Sequence, residues 1–129
     1  MKPATREWIE KAEADFVSAV REYRARKQPN FDATCFFAQQ CVEKYLKARL
    51  AQSGRPIPKT HDLSALLDVV VLLEPLWEVF RLQLETLTSY AVVFRYPGES
   101  ATREMGKTAI ADARRIRQQI RQAFGLSQK

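Results

Sequence analysis

The stretch Phe31–Leu50, FDATCFFAQQCVEKYLKARL, decides the fold. At about 100° per residue, Phe31, Thr34, Cys35, Phe37, Ala38, Cys41, Val42, Tyr45, Leu46 and Ala48 cover about half the circumference of a helix. Gln40, Glu43, Lys44 and Lys47 fill the other half. A surface helix needs an apolar stripe only a little wider than about 100°, so a face this broad predicts neighbours on two sides, or one neighbour and a second protomer. The stretch reads as the central helix of a bundle. Ser53, Gly54, Pro56 and Pro58 end it near Gln52 and predict a stiff connection to the next element.

Before it, Thr5 can cap a first helix reaching about Lys27, with Ile9, Ala12, Phe16, Ala19, Val20 and Tyr23 at spacings of three and four. After it, Thr60 or Asp62 can cap a third helix, in which Leu63, Leu66, Leu67, Val70 and Leu73 repeat at the helical period. Pro75 suits the first turn of a fourth. There Leu76, Phe80, Leu84, Leu87, Ala91 and Phe94 fall within roughly 80° of one another and predict a core face. The fourth helix stops before Arg95-Tyr96-Pro97-Gly98, and a fifth runs from about Thr102 to Phe124. No segment alternates as a strand would. The expected fold is all-α, an up-and-down antiparallel bundle of four to five helices in a single domain over residues 1–129, with about 125–129 as a frayed tail.

The chain has 129 residues, enough for one domain that buries about two thirds of its unfolded surface without disulfides or a structural metal. Its two cysteines, Cys35 and Cys41, stand six apart on one helix, a rise of about 9 Å, too far to bridge. Two cysteines and one histidine are also too few for a metal cage, and neither a metal nor a cofactor is expected. The opening segment lacks an apolar stretch of signal-peptide length. The longest apolar run, Val69–Leu73, is far short of the roughly 20 residues needed to span a bilayer. A reduced, cytoplasmic setting with no membrane partner is the expectation. A net charge of +6 and a pI near 9.6 favour a polyanionic or acidic partner.

Three features carry candidate chemistry. His61 is the only side chain whose unperturbed pKa, about 6.5, allows proton transfer in either direction near neutrality. The alternative is that it only helps to fix a helix start between Thr60 and Asp62. Arg95, at the end of an apolar helix and before a turn, can offer a bidentate fork to phosphate or cap the last carbonyls of that helix. On the fifth helix Arg103, Lys107, Arg114, Arg117 and Arg121 fall within roughly 80° and form a basic stripe. Such a stripe can follow a nucleic-acid backbone or be a solvated face.

Phe36–Ala48 (FFAQQCVEKYLKA), Pro58–Leu63 (PKTHDL), Tyr90 and Arg95–Gly98 (RYPG) occur in order along nearly the whole chain. Together they resemble the HEPN domains, named for higher eukaryotes, prokaryotes and nucleotide binding. The resemblance implies a helical bundle, often a homodimer, that binds RNA or nucleotides, with Arg95 and Tyr96 as candidate contacts. Small prokaryotic members are commonly encoded beside a minimal nucleotidyltransferase, with which they form toxin and antitoxin pairs. Many are metal-independent ribonucleases whose arginine and histidine, four to six residues apart, meet their twofold mates in a dimer cleft. Here Arg55 and His61 have that spacing but lie between the second and third helices, whereas the family motif usually belongs near the penultimate helix, where this chain has Arg95 without a following histidine.

The expected catalytic group is therefore His61 with Arg95, and Arg55 as a third candidate. The competing reading is a non-catalytic module binding a nucleotide or a protein. His61 and Arg95 can meet if, as in a simple up-and-down bundle, the turns after the second and fourth helices lie at the same end.

Overall fold

The computed structural model describes all residues from Met1 to Lys129 and is built of helices, with no strand. Five α-helices follow in order: α1 Pro3–Arg24, α2 Phe31–Ser53, α3 Leu63–Val70, α4 Arg81–Val93 and α5 Arg103–Ala123, with a 3₁₀ helix, Pro75–Phe80, leading into α4. No helix is long and apolar enough to cross a membrane.

α2 is the central helix, as its broad apolar face requires. α1 and α5 pack on it and on each other, while α3 and α4 form a second layer on α2. Asn30 caps its start by accepting a hydrogen bond from the Ala33 N–H at 2.9 Å. Gly54 ends it in the left-handed region at φ 75°, where its N–H returns to the Ala51 carbonyl at 3.1 Å and a side chain would be strained. Between these ends Cys35, Ala38, Cys41, Val42, Tyr45, Leu46, Ala48 and Leu50 are fully buried. Burying one such leucine contributes roughly 1.5–3 kcal/mol. Burial, with the nearby charge of Asp32 adding to it, pushes the Cys35 thiol up to about 12, so it is a packing residue and not a nucleophile.

Several local expectations need correction. Thr5 does not cap α1, which begins two residues earlier with proline in its first turn; the hydroxyl is buried and donates to Gln52 Oε1 at 2.9 Å. The helix also ends at Arg24, not Lys27. The apolar spacing that suggested one continuous fourth helix breaks at its start. In a 3₁₀ helix residues three apart eclipse one another, so Trp77 and Phe80 turn inward together and Leu76 and Val79 turn outward. Leu76, read as a core residue, is 86% exposed. The last residues, expected to fray, are tied back to α5: the Leu126 N–H bonds the Arg121 carbonyl at 2.9 Å, and Arg117 donates to the carbonyls of Gln128 and Lys129.

The turns after α2 and after α4 lie at opposite ends of the bundle. Gln52, near the end of α2, accepts from the backbone of Lys2, whereas Arg95, after α4, stacks on Phe36 near the start of α2. What carries His61 toward Arg95 is the segment from Arg55 to Asp62, which doubles back along α2 to the level of Glu43. The short α3 then returns in the direction of α2, and Glu74 beyond it pairs with Arg49 at 3.2 Å.

Candidate functional site

A row of polar side chains on α2, Gln39, Glu43 and Lys47, is spaced by four and thus stands on one helix face. Sequence periodicity assigned Glu43 and Lys47 to the polar half, yet all three are buried. The row is tolerated because its groups satisfy one another. Lys47 Nζ donates to Glu43 Oε2 at 3.1 Å and lies 5.7 Å from the Trp8 ring centre. Gln39 Nε2 donates to Glu43 Oε1 at 3.2 Å and to the His61 carbonyl at 2.8 Å.

The histidine completes this cluster. Its Nδ1 lies 3.0 and 3.2 Å from the two carboxylate oxygens of Glu43. An ionised carboxylate only accepts hydrogen bonds, so Nδ1 carries the proton and Nε2 is left as the free lone pair of the neutral ring. The Glu43 side chain is only 4% exposed, whereas that of His61 is 82% exposed. A fixed buried acceptor thus orients a solvent-facing imidazole.

His61 opens onto a cleft of about 320 Å³ bounded by Phe36, Gln39 and Gln40 of α2, by Asp62, and by Thr88, Ala91, Val92 and Arg95 along and after α4. The Arg95 guanidinium rests 5.5 Å from the Phe36 ring centre and pairs with no carboxylate. Asp62 keeps its expected role at the helix start, accepting from the Ser64 N–H at 3.0 Å. Thr60 accepts from the Asp62 N–H at 3.1 Å.

The cleft therefore unites His61 and Arg95 and leaves Arg55 out. Arg55 is exposed in the first turn beyond α2, its N–H bonded to the Leu50 carbonyl at 3.3 Å. Glu43 is ten residues back from Ser53 along α2, a rise of about 15 Å. Tyr96 is exposed in the turn after α4 and is not among the residues bounding the cleft.

The basic stripe divides. Arg117 is buried and grips Glu13 of α1 with two hydrogen bonds of 2.6 and 2.7 Å. Arg121 donates to Tyr45 Oη at 3.1 Å and to the Ser127 carbonyl. These two, read as surface contacts, hold the bundle together instead. Burial works against the Glu13 carboxylate, but hydrogen bonds from Arg117 and Tyr45 outweigh it and hold its pKa below the ordinary value. Burial and the hydrogen bond to Glu13 push the Tyr45 phenol up. Arg103, Lys107 and Arg114 remain exposed.

A model of the HEPN domain matches residues 5–123. The chain belongs to the HEPN family. Among solved structures, the crystal structure of TT1696 from Thermus thermophilus is similar over 89% of this HEPN chain and 94% of its own, with a TM-score of 0.77 and 21% sequence identity. That likeness establishes a shared fold. No curated protein matches. Periodicity located the HEPN bundle and side-chain chemistry the lone histidine, but neither found Glu43 and Gln39. The available signal was the polar pair Gln39 and Glu43, spaced by four beside apolar turns; nothing local to it shows that the return segment will cover it.

Proposed function

We propose that this HEPN protein is a metal-independent endoribonuclease whose chemistry takes place in the cleft between His61 and Arg95. The observation that carries the reading is the buried Glu43 carboxylate holding Nδ1 of an exposed histidine in the cleft that also contains an unpaired arginine. In the proposed reaction Nε2 of His61 takes the proton of a ribose 2′-hydroxyl while that oxygen forms a bond to the adjacent phosphorus. The bond from phosphorus to the 5′-oxygen breaks, giving a 2′,3′-cyclic phosphate and a 5′-hydroxyl. Arg95 stabilises the added negative charge on the phosphoryl oxygens, and Phe36 supports its guanidinium through the ring contact at 5.5 Å. The leaving 5′-oxygen takes a proton from a second imidazolium, supplied by His61 of a twofold mate in a homodimer.

By its resemblance to small HEPN proteins, the dimer acts in the cytoplasm as one half of a toxin and antitoxin pair with a minimal nucleotidyltransferase. The test is incubation of the purified protein with single-stranded and structured RNA in excess chelator, comparing wild type with His61→Ala and Arg95→Ala. Cyclic phosphate ends formed by wild type and lost in both variants support the reading. Cleavage that survives His61→Ala refutes the catalytic assignment, and intact RNA with wild type leaves the cleft as a binding site.

A further inference from the structure

The arginines with placed partners fall into two groups. Arg49, Arg81, Arg117 and Arg121 pair with carboxylates, Arg117 while also lying 5.1 Å from the Phe16 ring centre. Arg95, Arg103 and Arg114 have no carboxylate partner and instead lie on aromatic rings: Arg95 on Phe36, Arg103 at 4.8 Å on Phe31, and Arg114 at 5.5 Å on Phe16. A guanidinium stacked in this way keeps its donors free while losing the freedom of its long side chain in advance, a prepared fork for phosphate.

Their order in space follows the chain. Phe31 and Phe36 are both in the first two turns of α2, so Arg95 and Arg103 flank the same end of the central helix. From Arg103 the line continues along α5 to Lys107 and Arg114, which with Arg24 and Tyr23 of α1 line a groove of about 230 Å³. Glu22, Glu104 and Asp112 lie on the same two helices, but none pairs with these cations. The groove belongs to the α1–α5 layer, on the other side of α2 from the layer that forms the cleft.

We infer that a single RNA strand leaving the cleft at Arg95 rounds the start of α2 past Arg103 and lies in the α1–α5 groove, its phosphates on Lys107 and Arg114. The direction of the strand rests on the cleft being the site of chemistry; the groove contact itself does not. The rise from Arg103 to Arg114 is about 16 Å, which at the stacked spacing of about 3.4 Å corresponds to roughly five nucleotides. Four phosphate contacts on a single strand predict a salt slope of about −2.8, and two predict about −1.4.

The experiment is fluorescence anisotropy in chelator with labelled 2′-O-methyl RNA of three to twelve nucleotides, whose blocked 2′-oxygen keeps binding separate from cleavage. Wild type is compared with the double variant Lys107→Gln, Arg114→Gln, both positions being exposed. For a ten-nucleotide strand, wild-type affinity should fall about 50-fold between 50 and 200 mM salt and that of the variant about 7-fold. Wild type should also bind the longer strand more tightly than the trinucleotide, and the variant should lose that gain. Equal salt slopes in the two proteins, or wild-type affinity independent of length, would overturn the inference, as would binding of phosphatidylserine vesicles without binding of RNA. Failure of wild type to cleave unmodified RNA, with these binding results intact, would instead refute the ribonuclease reading alone.

Discussion

Replacing Arg117 by methionine separates an internal role from a surface one. Methionine keeps most of the aliphatic volume beside Phe16 but removes the two hydrogen bonds to Glu13 and those to the carbonyls of Gln128 and Lys129. Breaking a fully buried ion pair on one side costs about 3–5 kcal/mol. The Arg117 side chain is 7% exposed and that of Glu13 is 32% exposed. Solvent therefore screens part of the interaction, and about 2–3 kcal/mol is the expected loss. For a domain of this size that corresponds to a fall in melting temperature of roughly 6–12 °C.

The acid limb supplies a second reading of the same pair. The Glu13 carboxylate is held below its ordinary value of 4.5, so it binds a proton less readily folded than unfolded. Its contribution is complete above that value and disappears as pH falls through the depressed folded value. Wild type should therefore lose stability on acidification below about pH 4.5, and Arg117→Met should show a shallower loss. Urea denaturation between pH 3 and pH 7 measures both effects, and the double variant Glu13→Leu, Arg117→Met should recover only part of the deficit, because Glu13 also holds Tyr45 and Arg121 and the leucine leaves both without that partner. A single variant within about 0.5 kcal/mol of wild type at pH 7 would refute the argument.

Four further outcomes follow from the site and its frame. Glu43→Ala should lower RNA cleavage by about 10²-fold or more, and nitrogen NMR of His61 should show the Nδ1–H tautomer losing its dominance; an unchanged tautomer ratio would show that Glu43 does not orient the ring. Arg95→Ala should reduce cleavage by roughly 10²-fold, whereas Arg55→Ala should leave it at the wild-type rate, and equal losses would return Arg55 to the site. Phe80→Ala should cost about 3–5 kcal/mol in urea denaturation and Leu76→Ser less than about 0.5 kcal/mol; comparable costs would contradict the 3₁₀ start of the fourth segment. Tyr45→Phe, which removes a hydroxyl bonded to Glu13 and Arg121, should cost about 1 kcal/mol by the same assay, and no change would count against a structural network there.

The bundle was legible because α2 carries its apolar residues around half its surface, a pattern that only several neighbouring helices can satisfy. His61 stood out by chemistry and Arg95 by its place beside a turn. The reason they come together was not legible. It depends on an extended segment running back along α2, which has no periodicity to read, and the simple end-to-end argument placed the two turns at the same end when they are at opposite ends. The basic stripe shows another limit. Arg114 and Arg117 are three apart on one face, yet one meets solvent and the other meets Glu13 on a different helix, so only the packing of α1 against α5 distinguishes them. Likewise the 3₁₀ turn keeps Phe80 inside and puts Leu76 outside, a distinction that a period of 3.6 erases.

The segment Arg55–Asp62 acts as a ruler. It is tied at one end by the glycine cap of α2 and at the other by Asp62 and the contacts of His61, and its run of residues sets how far back along α2 the imidazole is carried. Adding or removing one residue between Ile57, which packs against the core, and His61 would move the imidazole off Glu43. The same holds for a single chain break. Arg55 is followed by proline, which resists trypsin, so Lys59–Thr60 is the vulnerable bond in the ruler. One nick there would release His61 from its measured position opposite Glu43, at a bond that lies outside all five helices.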